Sequence, residues 1–308
     1  EMRKILCLLL FSLSDAFNIL PPSSLAPVRP SCSSRPCSRS RLRMCAASSQ
    51  DEAPAVPRNE EEMLKTASEA ITRAFSEGKT RQKVRLLVPR DGMLLPTDEN
   101  WPGGIMQLFF ALSPVVRALV RRCSTNDLAP KLQEQRLDES GVDGISLWTA
   151  ECSSAKDDIF AFCQPSTESM EDIRKVVKSA GPRLVLAVNP QWRETMDGYD
   201  LLGKQAGLLG KIGNFLGGTS GARKELAELG FEDTFLLQQF VVRGNDCQIM
   251  KCYPSTSWFV FSRNDEGKEV FVGKQDQRPS YQDIERMLEE KGVAAKWARD
   301  AGLSKKFD

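Results

Sequence analysis

Residues 84–120 constrain the fold of this chain more than any other stretch. The run from Val84 to Val88 is short and apolar, which is typical of a buried strand, and Pro89 ends it. A long loop closed by Trp101-Pro102-Gly103-Gly104 follows, and then an apolar helix that reaches Val120. A strand that leads into a helix through a glycine-containing turn is half of an α/β unit. Ligands often bind at such turns.

Later segments continue the alternation of strands and helices. The run Leu184–Val188 predicts a fully buried strand that ends at Asn189-Pro190, and strands are also predicted at 144–148 and 158–162. This order favours an α/β fold with a mainly parallel, Rossmann-like sheet that is flanked by helices. Four strand-like runs between 234 and 272, separated by polar turns, predict an antiparallel meander that extends the sheet.

Helix signals mark the remaining elements. Asn59 is a predicted N-cap, and Ser280 with Asp283 three residues later forms a predicted capping box. Ser113-Pro114 interrupts the central apolar helix, which predicts a kink or two abutting helices with Ser113 as a cap. Residues 128–137 predict a weak amphipathic helix. We expect one α/β domain over 59–292, with a glycine-rich insertion at 191–219 and a C-terminal tail at 293–308.

The first 58 residues are predicted to be an address rather than part of the fold. Arg3-Lys4 precedes an apolar run over 5–13 that is too short to span a membrane, which predicts a signal peptide over 1–16. Residues 17–49 are rich in Ser, Pro and Arg and contain no acid, which is typical of a transit peptide, and 50–58 is a linker. With Phe17 after Ala16, this order resembles the two-part plastid presequence of algae with complex plastids. The resemblance implies the plastid stroma, or peripheral attachment to the thylakoid; the alternative is a secreted protein with a pro-segment.

Charge and histidine content exclude several functions. Of the 308 residues, 41% are hydrophobic and 27% charged, which suits a soluble globular protein. The first 45 residues hold seven of the 42 basic residues and two of the 41 acidic ones, so the rest carries a net charge of −4, which argues against nucleic acid binding. The chain has no histidine. This excludes histidine-based catalytic triads and histidine-ligated metals, and it favours a binding protein over an enzyme.

The cysteines do not indicate a metal site or a disulfide framework. Five of the nine follow the predicted leader, an odd number with no CxxC motif. Cys247 and Cys252 are close enough in sequence to suggest a redox pair, although buried, unreactive thiols are the favoured interpretation. No other spacing matches a metal site, and no cofactor is predicted.

One candidate ligand site lies where the predicted strands end. In open α/β sheets, ligands bind beyond the carboxyl ends of the strands. Polar and aromatic side chains are expected to gather there: Arg90, Asp91, Trp101, Gln164, Ser166, Asn189 and Gln191. Gly103 and Gly104 offer backbone N–H groups to an anion, but Pro102 removes one donor and both phosphate-loop motifs are missing. A tight turn with Trp101 packed over the sheet is therefore the favoured interpretation.

The second candidate is the glycine-rich segment at 201–218. On a helix, its apolar side chains share one face while its lysines point away, which suits an anionic membrane surface or a partner. The residues are Leu201, Leu208, Ile212 and Phe215, with Lys204 and Lys211. The alternative, slightly favoured, is a flexible surface loop or a pocket lid.

Several short motifs, taken in order, resemble a known family. They are the strand ending at Pro89, the Trp101–Gly104 turn with Gln107, Asn189-Pro190, Tyr253-Pro254 followed by Trp258, and Arg278-Pro279. Together they resemble the plastid and cyanobacterial domain-of-unknown-function 1995 family over about residues 59–292. The resemblance implies no catalytic residue. It implies a stromal or thylakoid-associated protein, since some plant relatives are linked to photosystem assembly and one type is joined to an adenylate kinase domain.

These observations lead to an expected function with one alternative. We expect a non-enzymatic plastid protein that binds a photosynthetic-complex partner or the thylakoid surface, with no transmembrane span. The alternative is an enzyme or sensor that binds a phosphorylated small molecule at the carboxyl edge of the sheet.

Overall fold

The structure is a computed structural model that describes residues 53–90, 93–95, 101, 103–127, 129–138, 141–191 and 218–307. Within these ranges the helices are α1 Glu60–Ser76, α2 Ile105–Cys123, α3 Met170–Ala180, α4 Gly218–Glu228, α5 Tyr281–Glu290 and α6 Lys296–Asp300. The strands are β1 Arg81–Arg85, β2 Val88–Arg90, β3 Met93–Leu95, β4 Lys131–Arg136, β5 Ser146–Glu151, β6 Ile159–Cys163, β7 Leu184–Val188, β8 Glu232–Val242, β9 Asn245–Cys252, β10 Trp258–Arg263 and β11 Glu269–Gln275.

Nine of the described strands form one mixed sheet in the order β11-β10-β9-β8-β1-β7-β6-β5-β4, and β2 pairs with β3 separately. The prediction of an α/β sheet flanked by helices and extended by a C-terminal antiparallel meander is confirmed. The prediction of a mainly parallel sheet holds only for its centre. Across the described strands, the pairs β6–β7, β7–β1 and β1–β8 are parallel, and the other five pairs of the sheet are antiparallel.

Short connections explain why the flanks of the sheet are antiparallel. Residues 152–158 join β5 to β6, and two residues join β8 to β9, so neither connection is long enough for the crossover that a parallel pair requires. In the centre, α3 lies between β6 and β7 in the sequence, while the chain between β7 and β8 includes α4. These crossovers make the centre parallel.

Both faces of the sheet are buried under helices. The first core lies beneath α1 and α2 and includes Ile71, Leu112, Leu119, Val84, Leu186 and Phe235. On the opposite face, the second core lies beneath α5 and includes Ile249, Val260, Ile284 and Leu288. The third core, also on that face, lies beneath α3 and α4 and includes Phe162, Ile173, Val185 and Leu226. Each side chain of this size contributes about 1.5–3 kcal/mol when it is fully buried.

The helix predicted over 128–137 is wrong, because β4 occupies Lys131–Arg136. The strand pairs antiparallel with β5, with Lys131 opposite Glu151, and the two side chains form an ion pair at 3.1 Å. Most side chains of β4 are exposed and polar, so the segment carries no apolar period that separates a strand from a helix. Pairing with β5 decides its structure, and tertiary context overrides the weak helix preference.

The prediction of two abutting helices at Ser113-Pro114 is also wrong, because α2 runs through both residues. Pro114 and Phe110 are exposed, so the carbonyl that proline leaves unbonded lies on the hydrated side of the helix. Ser113 is not a cap. Its hydroxyl donates to Glu134 at 2.6 Å and accepts from the indole N–H of Trp148 at 2.9 Å. It therefore joins α2 to β4 and β5.

Two predicted caps are confirmed, and the C-terminal segment packs on the domain. The side chain of Asn59 accepts from the N–H of Glu62 at 2.9 Å, and Ser280 forms the predicted capping box with Asp283. Beyond α5, the guanidinium of Arg299 is buried and donates to the carboxylate of Asp265 at 3.0 Å. The segment predicted as a tail is thus fixed to the β10–β11 turn.

Gly144 is required where the loop before β5 crosses α2. Its φ is +66°, and a Cβ there would lie 2.7 Å from the Cβ of buried Phe109. We expect Gly144→Ala to lower the free energy of unfolding by about 2–3 kcal/mol, from backbone strain and displaced packing. Gly141 is a matched control because its φ is +69° with nothing within 4 Å of a Cβ, so Gly141→Ala should cost about 1 kcal/mol. Urea unfolding measures both, and equal losses would contradict the role given to Phe109.

Candidate functional site

The carboxyl ends of β6 and β7 have the same unusual geometry. Each strand is followed by a residue with positive φ and then a proline: Gln164 at +51° before Pro165, and Asn189 at +50° before Pro190. Cys163 pairs with Val188 in the parallel register, so Gln164 and Asn189 lie side by side. A left-handed backbone is costly for residues other than glycine, and such strain often marks a functional position.

Asn189 closes the end of β1. It is fully buried, its side-chain oxygen accepts from the N–H of Leu86 at 2.8 Å, and its side-chain nitrogen donates to the carbonyl of Leu86 at 2.9 Å. The side chain thus replaces a neighbouring strand at Leu86. This explains why β1 ends at Arg85 rather than continuing to Val88 as predicted. Its bonds to Leu86 give Asn189 a structural role at the edge where a ligand contact was predicted.

The side chain of Gln164, in contrast, makes no hydrogen bond with any described residue. It is also fully buried, but neither the oxygen nor the nitrogen of its side-chain amide has a hydrogen-bond partner among the described residues. Leaving such a group unpaired costs about 1–3 kcal/mol for each donor or acceptor, so buried amides are nearly always bonded. An unpaired amide on a strained backbone at the carboxyl edge is the feature of this region that folding does not explain.

The predicted glycine turn packs as a structural cap. Trp101 contacts the first core, and its indole N–H is buried without a partner among the described residues. A Cβ on Gly103 would lie 1.9 Å from the side-chain oxygen of Gln107 and 3.0 Å from the indole nitrogen, so a larger residue requires the Gln107 side chain to move. Gly104 is the N-cap of α2 and is exposed. The turn seals the core, as the favoured interpretation holds.

The remaining predicted residues of the edge have local roles or lie outside the described ranges. Ser166 caps the turn before α3 with Ser169, and Gln191 donates from its side chain to the carbonyl of Asn189 at 3.0 Å. Arg90 is exposed at the end of β2. Asp91 and the whole predicted membrane or partner surface, from Leu201 to Phe215, lie outside the described residues.

A basic face on β1, the central strand, was not predicted from the sequence. Arg81, Lys83 and Arg85 alternate along it and therefore share the face opposite the first core. The Arg81 guanidinium donates to four carbonyls, those of Thr80, Val177, Gly181 and Arg183. Arg85 is buried and donates to the carbonyl of Pro190 at 3.1 Å. The alternation was visible in the sequence, but the predicted strand began only at Val84.

Lys83 continues this basic face onto β8 and β9. Its ammonium is 2.7 Å from Asp233, and Lys251 approaches the other oxygen of the same carboxylate at 3.3 Å. Burial raises the pKa of Asp233, but the charges and hydrogen bonds of the two lysines outweigh it and hold that pKa below the usual range. A carboxylate with a lowered pKa is a poor general base at neutral pH. The cluster therefore suits the binding of an anion better than proton transfer.

The alternative of a redox pair is not supported, because Cys247 and Cys252 lie on opposite faces of β9. Cys247 belongs to the second core and Cys252 packs against the first. An odd separation along a strand places side chains on opposite faces, and five residues span about 16 Å, far beyond disulfide reach. Burial raises the pKa of each of these thiols to about 11. They are unreactive thiols, the interpretation favoured from the sequence.

The buried thiols of the described residues are not activated for catalysis. Burial also raises the pKa of Cys123 and of Cys163, so none of these thiols is activated as a nucleophile. No group of three or more candidate metal ligands occurs in the described part of the chain. Gln164 at the carboxyl edge can donate and accept hydrogen bonds, and the lysines around Asp233, on β1 and β9, can attract negative charge.

Comparison with known proteins places this fold in a family. A family model described as a domain of unknown function, DUF1995, matches residues 57–286, which is more than half of the chain. The chain belongs to the DUF1995 family. Comparisons with curated proteins and with solved structures gave no match.

The DUF1995 match defines which parts of this structure the family shares. It begins just before α1, includes the whole nine-stranded sheet and ends within α5. The candidate site at the carboxyl edge lies inside the match, while α6 and the segment that follows it lie beyond. Among the residues that the structure describes, no helix is both long enough and apolar enough to cross a membrane.

Proposed function

We propose that this DUF1995 protein acts by binding rather than by catalysis, and that the carboxyl edge of its sheet binds a small molecule with a phosphate or carboxylate group. The observation that carries this proposal is Gln164, a fully buried side chain whose amide oxygen and nitrogen are both unpaired among the described residues. A ligand that offers one acceptor and one donor supplies the missing hydrogen bonds. Such a site rejects molecules without those groups, because its own polar atoms then stay unpaired.

The charge on this side of the sheet favours an anionic ligand. Lys83 and Lys251 share the single carboxylate of Asp233, so this cluster has an excess of one positive charge. Side chains there are about one-quarter exposed, and a partly buried charge attracts an anion more strongly than one in bulk water. The central strands alternate with helices along the chain, and in sheets of this kind ligands usually bind beyond the carboxyl ends of the strands.

Isothermal titration tests the proposal with inorganic phosphate, adenine nucleotides and phosphorylated sugars as probes. We expect heat from at least one of the phosphorylated compounds with the wild-type chain. Gln164→Met and Lys83→Gln should each weaken that binding by about tenfold or more, the equivalent of one lost hydrogen bond or ion pair. Lys178→Gln, on the exposed end of α3, is the charge-matched control and should bind as the wild type does. The absence of heat with every probe would reject the proposal.

We also propose that the protein works in the plastid. The support is the composition of residues 1–49, with an apolar run, Phe17 after Ala16 and an acid-free segment rich in Ser and Arg. Fusion of residues 2–60 to a fluorescent protein should direct it to the plastid of an alga with complex plastids. Phe17→Ala should hold the fusion in the secretory pathway, and secretion of the unaltered fusion would contradict this location.

A second candidate function is binding to a photosynthetic-complex partner or to the thylakoid surface through residues 201–218. Its support is the sequence period that gathers Leu201, Leu208, Ile212 and Phe215 on one helical face, with lysines opposite. Flotation with vesicles of thylakoid-like anionic lipids should carry the full chain, and deletion of 201–218 should reduce the floated fraction. Equal flotation of both chains would exclude the membrane function of this segment.

A further inference from the structure

A separate groove lies at the outer edge of the sheet, beside β11. It has a volume of about 450 Å³, within the usual range of ligand pockets. Three chain segments form it: the middle of β11, residues 291–294 after α5, and residues 305–307. The last two segments lie beyond the DUF1995 match, which ends at residue 286. The groove is therefore a feature of this chain that the family match does not include.

The lining of the groove combines an apolar floor with positive charge. Val270, Val272 and Phe307 provide apolar surface, and Lys291, Lys305 and Lys306 provide the charges. No acidic side chain lines it. The three lysines are exposed, and each lacks an ion pair with any other described residue. Asp308, which follows Phe307, lies outside the described residues.

The carboxylate of Asp265, which is hydrogen-bonded to Phe307 of the groove, is already engaged. Asp265 accepts from the guanidinium of Arg299 at 3.0 Å and from the N–H of Phe307 at 3.0 Å. The hydrogen bond from Arg299 and that backbone bond, with the charge of Lys306, hold the pKa of Asp265 below its usual range. The side chain of Arg299 is only 3% exposed and also donates to the carbonyl of Ala294. These bonds hold two walls of the groove in place before any ligand binds, which lowers the cost of binding.

We propose that this groove binds an anionic amphiphile, with the phosphate or carboxylate against the lysines and the hydrocarbon part against Val270, Val272 and Phe307. Positive charge on the rim attracts the head group, and the apolar floor gains from removing a chain from water. Val270 and Phe307 are only partly buried, so part of their apolar surface is open to a ligand at the edge of the sheet. A free phosphate would use only the lysines, and a neutral amphiphile only the floor. The two features together select a molecule that carries both.

The test uses the full chain and dodecyl phosphate below its micelle concentration. We expect dodecyl phosphate to bind at least about tenfold more tightly than either inorganic phosphate or dodecyl maltoside, because each lacks half of the contacts. The variant with Lys291→Gln, Lys305→Gln and Lys306→Gln should weaken binding by about tenfold or more, and Phe307→Gln should weaken it without changing the charge. The control carries Lys156→Gln, Lys178→Gln and Lys224→Gln, three exposed lysines elsewhere, and should bind as the wild type does.

Two further experiments are needed. One distinguishes a membrane lipid from a free amphiphile as the ligand, and the other distinguishes binding in this groove from binding at the carboxyl edge. The first experiment compares flotation with anionic and with neutral vesicles. If the groove variant no longer binds anionic vesicles, a lipid head group is a source of the ligand. If its flotation is unchanged but it has lost dodecyl phosphate binding, the ligand is a free amphiphile. The loss of dodecyl phosphate binding that the groove variant causes should be the same with and without Gln164→Met, so failure of the carboxyl-edge proposal does not affect this one. Equal binding of dodecyl phosphate by the wild type, the groove variant and the control variant would overturn the proposal.

Discussion

Asn189→Ala should lower the free energy of unfolding by roughly 3–5 kcal/mol, a large part of the 5–15 kcal/mol that holds a typical domain together. The substitution removes both hydrogen-bonding atoms that face Leu86, so one buried N–H and one buried C=O lose their partners. It also places alanine at a φ of +50°, which asparagine tolerates better. Urea unfolding should show a lower midpoint with an unchanged slope, because the folded state remains the same.

Gln191→Ala is the matched control for Asn189→Ala at the same edge of the sheet. Gln191 donates one side-chain hydrogen bond to the carbonyl of Asn189, at 3.0 Å, from a partly buried position. Its loss should cost no more than about 1 kcal/mol, the usual net value of one such bond. If Asn189→Ala were as mild as this control, water would be replacing the amide at Leu86, and the structural role of Asn189 would be wrong.

The parts of the fold that the sequence predicted best are those where one local signal decides the structure. Leu184–Val188 is a strand with the predicted bounds because five consecutive apolar residues suit only a position buried on both faces. The capping box at Ser280 was predicted because its two bonds form within four residues. In contrast, Lys131–Arg136 is a strand because β5 offers it a partner. No local pattern contains that information.

The candidate site likewise combines a location that was predicted with residue roles that depend on the three-dimensional fold. The carboxyl edge was predicted from architecture, and Gln164 and Asn189 do lie there side by side. Their roles were not predictable, because both are amides that follow buried strands and precede prolines. Only the fold places the Leu86 backbone against one of them and leaves the other without a partner. The basic face of β1 was missed for a different reason, since charged residues on a central strand contradict the apolar pattern used to find such strands.

Gln164→Met should raise the free energy of unfolding by about 1–2 kcal/mol when no ligand is present. Methionine has a similar length and fills the same space, but it has no donor or strong acceptor that must be paired. The buried amide of Gln164 costs stability in the folded protein because both of its polar atoms lack partners among the described residues. The same substitution should remove the ligand's contacts. Stability and binding are therefore expected to change in opposite directions, which is the usual signature of a functional position.

Gln82→Met is a control with the same substitution and the same burial. Its expected change in the free energy of unfolding has the opposite sign. Gln82 is also fully buried, on β1, but its side-chain nitrogen donates to the carbonyls of Ile71 at 3.1 Å and Lys79 at 2.7 Å. Its loss should cost about 1–2 kcal/mol, because both carbonyls lose a partner, while removal of the unpaired side-chain oxygen of Gln82 offsets part of that cost. Urea unfolding of the two variants without ligand gives the comparison. If both variants are destabilised, the amide of Gln164 is bonded in solution, for example to a buried water, and has no unmet need for a ligand. A higher free energy of unfolding for Gln164→Met, together with a lower one for Gln82→Met, would show that the unpaired amide of Gln164 destabilises the folded protein when no ligand is bound.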